Sequence, residues 1–244
     1  MITILLNTVF PKTYVDAGVI TREVTLMFWG AAIGIMTALG VFMRKKNESS
    51  PGIYGAAGIM LLLASVSEML QISSFYWMEE GLVSSYIACV GIGIEYVGFS
   101  FLVKHIETKL GNPAHYIFTI MSLTVAAVFF VGIDLRKVEL VPSYVFIPIA
   151  IIMLTAGLSV PAMYAYIAKR TSADIRKRSI LAGVGFFILL SGLLIQESTV
   201  HYMAPWGIEW YESTFHLPYA PLPPGAVVVG LVIIAYALHT IQIK

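Results

Sequence analysis

The sequence predicts an all-α membrane protein, a bundle of seven transmembrane helices with its N-terminus outside and its C-terminus in the cytoplasm. Three observations lead to this fold class. Hydrophobic residues make up 58% of the chain and charged residues only 12%, which is about half the charged fraction of an average soluble domain. Seven apolar stretches are each about 20 residues long, the length that crosses a bilayer as a helix. Lysine and arginine gather in every second connection between those stretches.

The seven predicted spans follow one another within a single domain that covers residues 1–244. Backbone polar groups inside a bilayer must be satisfied within their own segment, so each span is predicted to be a helix. The approximate boundaries are 24–43, 52–76, 82–103, 114–133, 143–167, 179–198 and 224–241.

The basic residues give the predicted orientation. Eleven of the 15 lysines and arginines lie after the first, third and fifth spans or at the end of the chain. These eleven are Arg44, Lys45, Lys46, Lys104, Lys109, Lys169, Arg170, Arg176, Lys177, Arg178 and Lys244. Because cytoplasmic connections carry the excess of basic residues, this side is predicted to be cytoplasmic. The chain is expected to be a multi-pass protein of the plasma membrane.

The fifth connection holds the largest group of these residues. It is a cytoplasmic basic cluster in a predicted connection of about ten residues, and its members are Lys169, Arg170, Arg176, Lys177 and Arg178. The cluster either serves topology alone or binds an acidic partner or anionic lipid headgroups.

Small residues recur along several predicted spans. They let helix backbones approach closely in lipid, either within one bundle or at a dimer face. They include Gly30, Gly34, Gly55, Gly58, Gly91, Gly93, Gly98, Gly183, Gly185 and Gly192.

Two acidic residues lie near the middle of predicted spans. Glu68 belongs to the second span and Glu95 to the third, and a short turn joins these two spans. A charge at the centre of a bilayer is costly, so both side chains are predicted to face the bundle interior. Two roles fit this position. Each carboxyl is either a protonated group that hydrogen-bonds and locks two helices together, or a proton-linked or ligand-linked group.

The outer connection between the sixth and seventh spans is long and aromatic. Three interpretations fit it: an amphipathic segment at the lipid headgroups, a lid over an outward-facing pocket, or a metal site. Glu209, Glu212 and His216 share one face if the segment is helical, and carboxylates and imidazole are metal ligands. The residues of this predicted outer cap are Trp206, Glu209, Trp210, Glu212 and His216.

Other functional classes lack the residues they require. The seventh predicted span contains no lysine before Lys244 that retinal would need, and the histidines lie at span ends or in connections. The sequence also lacks a phosphate-binding loop, a nucleophile elbow and a cysteine pair. We therefore expect no enzymatic activity, no cofactor and no nucleic-acid partner.

Four elements of the sequence occur in a suggestive order. Gly58–Leu70 is a small and aliphatic run that ends in a glutamate-leucine element containing Glu68, and Ile94–Gly98 is an aromatic-glycine element. Arg176–Arg178 leads into the sixth span and Pro221–Pro224 into the seventh. Together they resemble the seven-helix N-terminal membrane regions of sensor histidine kinases. That resemblance implies a sensory role with a cytoplasmic transmitter as its output.

The end of the chain departs from that pattern. The sequence finishes with Gln242-Ile243-Lys244, so we expect no transmitter after the last span. The expected function is therefore a receptor-like module that signals through a separate partner protein, in contact with membrane lipids. The alternative is a non-catalytic structural or accessory subunit of a larger membrane complex.

Overall fold

The computed structural model describes residues 22–49, 52–78, 81–110, 116–132, 143–195, 205–215, 219 and 221–239. Every regular element in these ranges is an α-helix, and they hold eight helices. These are α1 (Arg22–Ser49), α2 (Ile53–Tyr76), α3 (Leu82–Lys109), α4 (Ile117–Phe130), α5 (Ser143–Arg170), α6 (Ala173–Leu194), α7 (Pro205–Phe215) and α8 (Leu222–His239). The short helix α7 lies in the predicted outer connection, and each of the others overlaps one predicted span.

The length and apolar character of these helices confirm a helical membrane protein. Four of the described helices, α1, α2, α3 and α5, contain segments of 22 to 28 residues that are long and apolar enough to cross a membrane. The apolar segments of α4 and α8 are shorter, Ile117–Phe130 and Leu222–Leu238. Helix α6 is less apolar than α4 and α8, because its first turns carry the basic run Arg176–Arg178.

Seven of the described helices form a closed ring. Each helix packs against its neighbours in the sequence, from α1 to α6, and α8 packs against both α6 and α1. The α2–α3 and α6–α8 interfaces are the most extensive, and α3 also touches α5 across the ring. The ring therefore closes where the last described helix meets the first.

Contacts between helix ends show that successive helices of the ring run antiparallel along the chain, whereas α8 and α1 run parallel where the ring closes. The Tyr54 hydroxyl at the start of α2 donates to the Leu238 carbonyl at the end of α8, at 2.7 Å. The Arg176 Nε at the start of α6 donates to the Ala168 carbonyl near the end of α5, at 3.1 Å. The ends of α1, α3, α5 and α8 therefore share one end of the bundle with the starts of α2, α4 and α6.

That end, which we call the basic end, holds every lysine and arginine whose side chain the structure describes. They are Arg44, Lys45, Lys46, Lys104, Lys109, Lys169, Arg170, Arg176, Lys177 and Arg178. Several lie in the last turns of α1, α3 and α5, where a positive charge interacts favourably with the helix dipole.

Glycines set the close approaches between helices. A Cβ atom added at Gly230 of α8 would lie 2.6 Å from the Leu189 nitrogen and 2.7 Å from the Gly185 oxygen, so α6 and α8 meet backbone to backbone. Gly30 and Gly34 differ, since no described atom lies within 4 Å of a Cβ added at either one. Of the two alternatives for this pair, the described residues do not support packing within the bundle, because the pair lies on the outer face of α1.

Several predicted boundaries need correction. Helices α1 and α3 continue to Ser49 and Lys109 rather than to 43 and 103, because lysine, arginine and glutamate are good helix formers. Helix α4 is described only over Ile117–Phe130, within the predicted span 114–133.

The predicted ten-residue basic connection is also corrected. Helix α5 continues to Arg170 and α6 begins at Ala173, which leaves only Thr171 and Ser172 between them. The basic cluster therefore lies on two helix ends rather than in a loop.

Candidate functional site inside the helix ring

The α2–α3 interface brings polar side chains together near mid-helix. A Cβ atom added at Gly91 of α3 would lie 3.0 Å from the Ser67 oxygen and 3.0 Å from the Gln71 Cγ, so the two helices are in close contact here. Ser67 and Gln71 are four residues apart on α2 and therefore share one face. Glu95 lies one turn further along α3.

These side chains form a hydrogen-bonded chain. The Gln71 amide donates to the Ser67 hydroxyl at 2.9 Å, and that hydroxyl donates to the Glu95 carboxylate at 3.4 Å. Ser67 and Gln71 are both buried, whereas Glu95 is partly buried. The donors hold the carboxyl in place on the α2 side and leave its other side open to the ring interior.

A small cavity lies against the other side of Glu95. It is lined by Glu95, Tyr96 and Phe99 of α3, Gly157 of α5 and Leu190 of α6. Because α3 and α6 are not neighbours in the ring, a cavity lined by both lies inside it. Its volume of about 20 Å³ is enough for one water molecule.

A proline makes the opposite wall of this cavity unusual. Pro161 lies inside α5 and has no N–H, so it cannot bond the carbonyl of Gly157 four residues earlier. Gly157 is also the α5 residue that lines the cavity. Glu95 and Gly157, the residue whose carbonyl lacks this helical bond, therefore line the same water-sized space. Freed carbonyls in membrane helices are satisfied by waters or neighbouring side chains.

Tyr164 adds a second polar group on the same helix. Its ring stacks on Phe186 with centroids 5.5 Å apart, and its hydroxyl is buried without a hydrogen-bond partner among the described residues. Buried polar groups usually have a protein or water partner. The inward face of α5 thus offers hydrogen-bonding capacity on both sides of Pro161.

Glu68 lies in the interior as well. It is fully buried on α2, directly beside Ser67 in the sequence. Its sequence neighbour Ser67 makes the hydrogen bond to Glu95 across the α2–α3 interface. Whether either acid takes part in proton or ligand binding stays a prediction.

A third buried acid, Glu107, was missed by the sequence analysis. It accepts hydrogen bonds from the Phe118 N–H at 3.2 Å and the Thr119 hydroxyl at 2.5 Å. Tyr116, just before α4, has a left-handed backbone (φ 59°) and provides no side-chain cap. Glu107 therefore caps the start of α4 from the end of α3. The signal was hidden because the predicted third span ended at residue 103.

The outer connection is tied to the ring at Tyr219. The Tyr219 hydroxyl donates to the Ile195 carbonyl after α6 at 2.6 Å, and its N–H donates to the Glu212 carboxylate of α7 at 2.9 Å. Tyr211 of α7 packs its ring against that of Tyr219, with centroids 5.5 Å apart. These contacts hold α7 against the end of α6 and the start of α8, opposite the basic end.

The remaining residues of the predicted outer cap divide into two groups. Trp210 is exposed and its ring contacts that of Phe215. The side chains of Trp206, Glu209 and His216 lie outside the described residues, so the metal hypothesis stays a prediction. Among the residues that the structure describes, no three His, Cys, Asp or Glu side chains are placed to hold a metal ion.

The basic cluster is partly engaged within the chain. Arg176 bonds the end of α5, and the Arg170 guanidinium lies 4.4 Å from the centroid of the Tyr166 ring. Lys169 and Lys177 are exposed. These two lysines are available to a partner at the basic end.

Comparison of the chain with protein-family models, with curated proteins and with solved structures finds no match.

Proposed function

We propose that this chain is a receptor-like membrane module with seven transmembrane helices, which senses through the Glu95 site and signals to a separate partner protein. In this proposal the N-terminus is outside, the basic end is cytoplasmic and the protein resides in the plasma membrane.

The topology is supported by the ring and its charge. Along the chain, α1 to α6 and α8 alternate in direction, as successive transmembrane passes do, and the parallel pair α8 and α1 closes the ring. All lysines and arginines with described side chains lie at one end, and basic residues favour the cytoplasmic side. The start of α1 and the α7 connection then lie outside.

One observation carries the sensory role: the Glu95 carboxyl borders a water-sized cavity whose far wall is the proline-interrupted part of α5. A bundle that only packs or seals would gain more from filling this space with apolar side chains. An ionisable group beside an interrupted helix can instead favour one position of that helix over another. Such a bias is what a sensor needs to shift between two conformations.

The test measures the position of α5 at the basic end. Spin labels at Lys45 of α1 and Lys169 of α5, both exposed, report the distance between these helices in lipid nanodiscs, in a Cys89→Ala background. Glu95→Gln mimics the protonated acid, and we expect it to shift the distance distribution. Pro161→Ala restores the N–H that Gly157 needs, and we expect it to narrow the distribution.

Glu107→Gln is the matched control, because it neutralises a buried acid on the same helix away from the cavity. Its distribution should match that of the parent protein. If Glu95→Gln also leaves the distribution unchanged, the Glu95 site does not control α5 and the sensory proposal fails.

The alternative function, a non-catalytic accessory subunit, is separated from signalling by the identity of the partner. Purification in mild detergent, followed by mass spectrometry of the co-eluting proteins, identifies the partner. A kinase or response module supports the sensor, whereas subunits of an oxidase or respiratory complex support the accessory role. Transport, catalysis or signalling by the reconstituted chain alone contradicts both.

A further inference from the structure

A groove opens at the basic end where the ring closes. It lies between α1, the first turn of α2 and the end of α8, with a volume of about 310 Å³. Its walls include Leu39, Phe42, Lys46, Tyr54, Ala235 and Tyr236. Helix α1 packs less extensively against α8 than against α2, so the groove lies at the looser of its two interfaces. It is separate from the Glu95 cavity.

A lysine is held against the aromatic wall of this groove. The Lys46 Nζ lies 5.2 Å from the centroid of the Tyr54 ring and 5.6 Å from that of Phe42, within the range of a cation–π interaction. The Tyr54 ring is itself fixed, because its hydroxyl donates to the Leu238 carbonyl. The ammonium group is thus positioned in an otherwise mostly apolar groove.

The rim of the groove faces outward. Phe42 is 55% exposed and Tyr236 is 63% exposed, so both rings are accessible at the rim of the groove. Outward-facing aromatic side chains near a helix end suit the membrane interface. The groove therefore combines an apolar floor, an aromatic rim and the positive charge of Lys46 at the depth of the membrane interface.

We infer that this groove binds one anionic phospholipid. Its phosphate contacts the Lys46 ammonium, and the upper part of an acyl chain lies along Leu39, Phe42 and Tyr236. A lysine binds phosphate as a point charge, and the cytoplasmic leaflet supplies anionic headgroups at this depth. A zwitterionic lipid of the same chain length fits the apolar part but lacks the net charge that Lys46 complements.

The first experiment titrates the full-length protein in detergent with phosphatidylglycerol or phosphatidylcholine and counts bound lipids by native mass spectrometry. We expect tighter binding of phosphatidylglycerol, and we expect Lys46→Gln to weaken it about fivefold, the effect of one lysine near an anionic surface. Ala235→Leu fills the groove without changing charge and should weaken both lipids.

Lys45→Gln is the matched control, since Lys45 is the exposed neighbour of Lys46 and does not line the groove. Its affinity should stay within about twofold of the parent protein, well short of a single-lysine effect. An equal loss in Lys45→Gln and Lys46→Gln would mean general charge attraction and would overturn the inference. Equal binding of the two lipids by the parent protein would overturn it as well.

A second measurement identifies the occupant directly. A photo-crosslinking amino acid at Tyr236 is activated in vesicles that contain both lipids, and the mass of the adduct is determined. An adduct with phosphatidylglycerol supports the inference. A crosslink to residues 240–244 of the same chain, or to a second copy, would assign the groove to another occupant and overturn it.

Folding is checked separately in each variant. Cys89 is the single cysteine of the chain and is buried, so its reaction with a thiol dye on heating reports unfolding. If Lys46→Gln binds lipid less while unfolding at the parent temperature without lipid, the loss belongs to the groove. If Lys46→Gln unfolds at a lower temperature than the parent protein, lipid binding by Ala235→Leu and the crosslink at Tyr236 test the inference instead. Lipid binding that is retained in Ala235→Leu contradicts the inference.

Discussion

Glu95 and Glu107 lie on the same helix and use their carboxyl groups differently. Both oxygens of Glu107 accept hydrogen bonds from the start of α4, so its role is to join two helices. Glu95 accepts from the Ser67 hydroxyl and borders a cavity, which leaves room for a water molecule. The cavity thus distinguishes the candidate functional acid from the structural one.

Glu107→Ala should destabilise the protein by about 1–3 kcal/mol. The change removes the acceptor for one N–H and one hydroxyl, and a buried donor without an acceptor loses its solvation without compensation. The measurement is the thermal exposure of Cys89, which packs in the α3–α4–α5 cluster. Glu107→Gln keeps an acceptor oxygen and should lose less. Equal stability of Glu107→Ala and the parent protein would contradict the capping role.

The sequence located some of these residues and missed others for a physical reason. Glu68 and Glu95 stood out because an acid within a long apolar stretch is costly. Glu107 did not, since Lys104 and Lys109 flank it and the neighbourhood resembled a solvent-exposed connection. The Glu95 cavity was not predictable either, because it depends on which residues of α5 and α6 face α3.

Among the helices, the tightest contact is between α6 and α8. Gly185 and Gly230 allow the two backbones to touch, and the facing side chains pack around them. The sequence showed small residues in several spans but not which way each one faces. Gly30 and Gly34 form the most regular small-residue pair in α1, yet no described residue packs against their faces.

Gly230→Ala should destabilise the protein by about 1–3 kcal/mol, as overpacking does when backbone atoms cannot move aside. Gly34→Ala is the matched control, because its Cβ meets nothing within 4 Å. It should be neutral or stabilise by up to about 1 kcal/mol, since alanine is the better helix former. Thermal unfolding in one detergent compares the two, and similar losses in both variants would argue against the α6–α8 contact.

At the scale of the whole molecule, the two ends of the helix ring differ in chemistry. The basic end carries the described cationic side chains, and the opposite end carries α7 with its aromatic residues. The closed order of the ring could not be predicted from hydropathy, because apolar stretches specify helices without specifying their neighbours. Helices that are apolar on all sides show little hydrophobic periodicity, so the sequence does not show which face packs.

Cysteines at Lys45, Lys177 and Thr214, placed singly in a Cys89→Ala background, should divide by side of the membrane. All three positions are exposed, and the first two lie at the basic end. An impermeant maleimide added to intact cells should label only the Thr214 position, because the positive end faces the cytoplasm. Labelling of the Lys45 and Thr214 positions from the same side would refute the seven-pass topology.

The closure of the ring between α8 and α1 also has a consequence for biosynthesis. Ribosomes deliver the helices in order, and α1 to α6 can associate with their neighbours as they enter the bilayer. The ring that surrounds the bundle interior closes only when α8 arrives and joins α6 to α1. A nascent chain released before α8 leaves the ring open to lipid, at a cost that marks it for removal by membrane quality control. Synthesis of α8 is therefore the step that closes the ring of described helices.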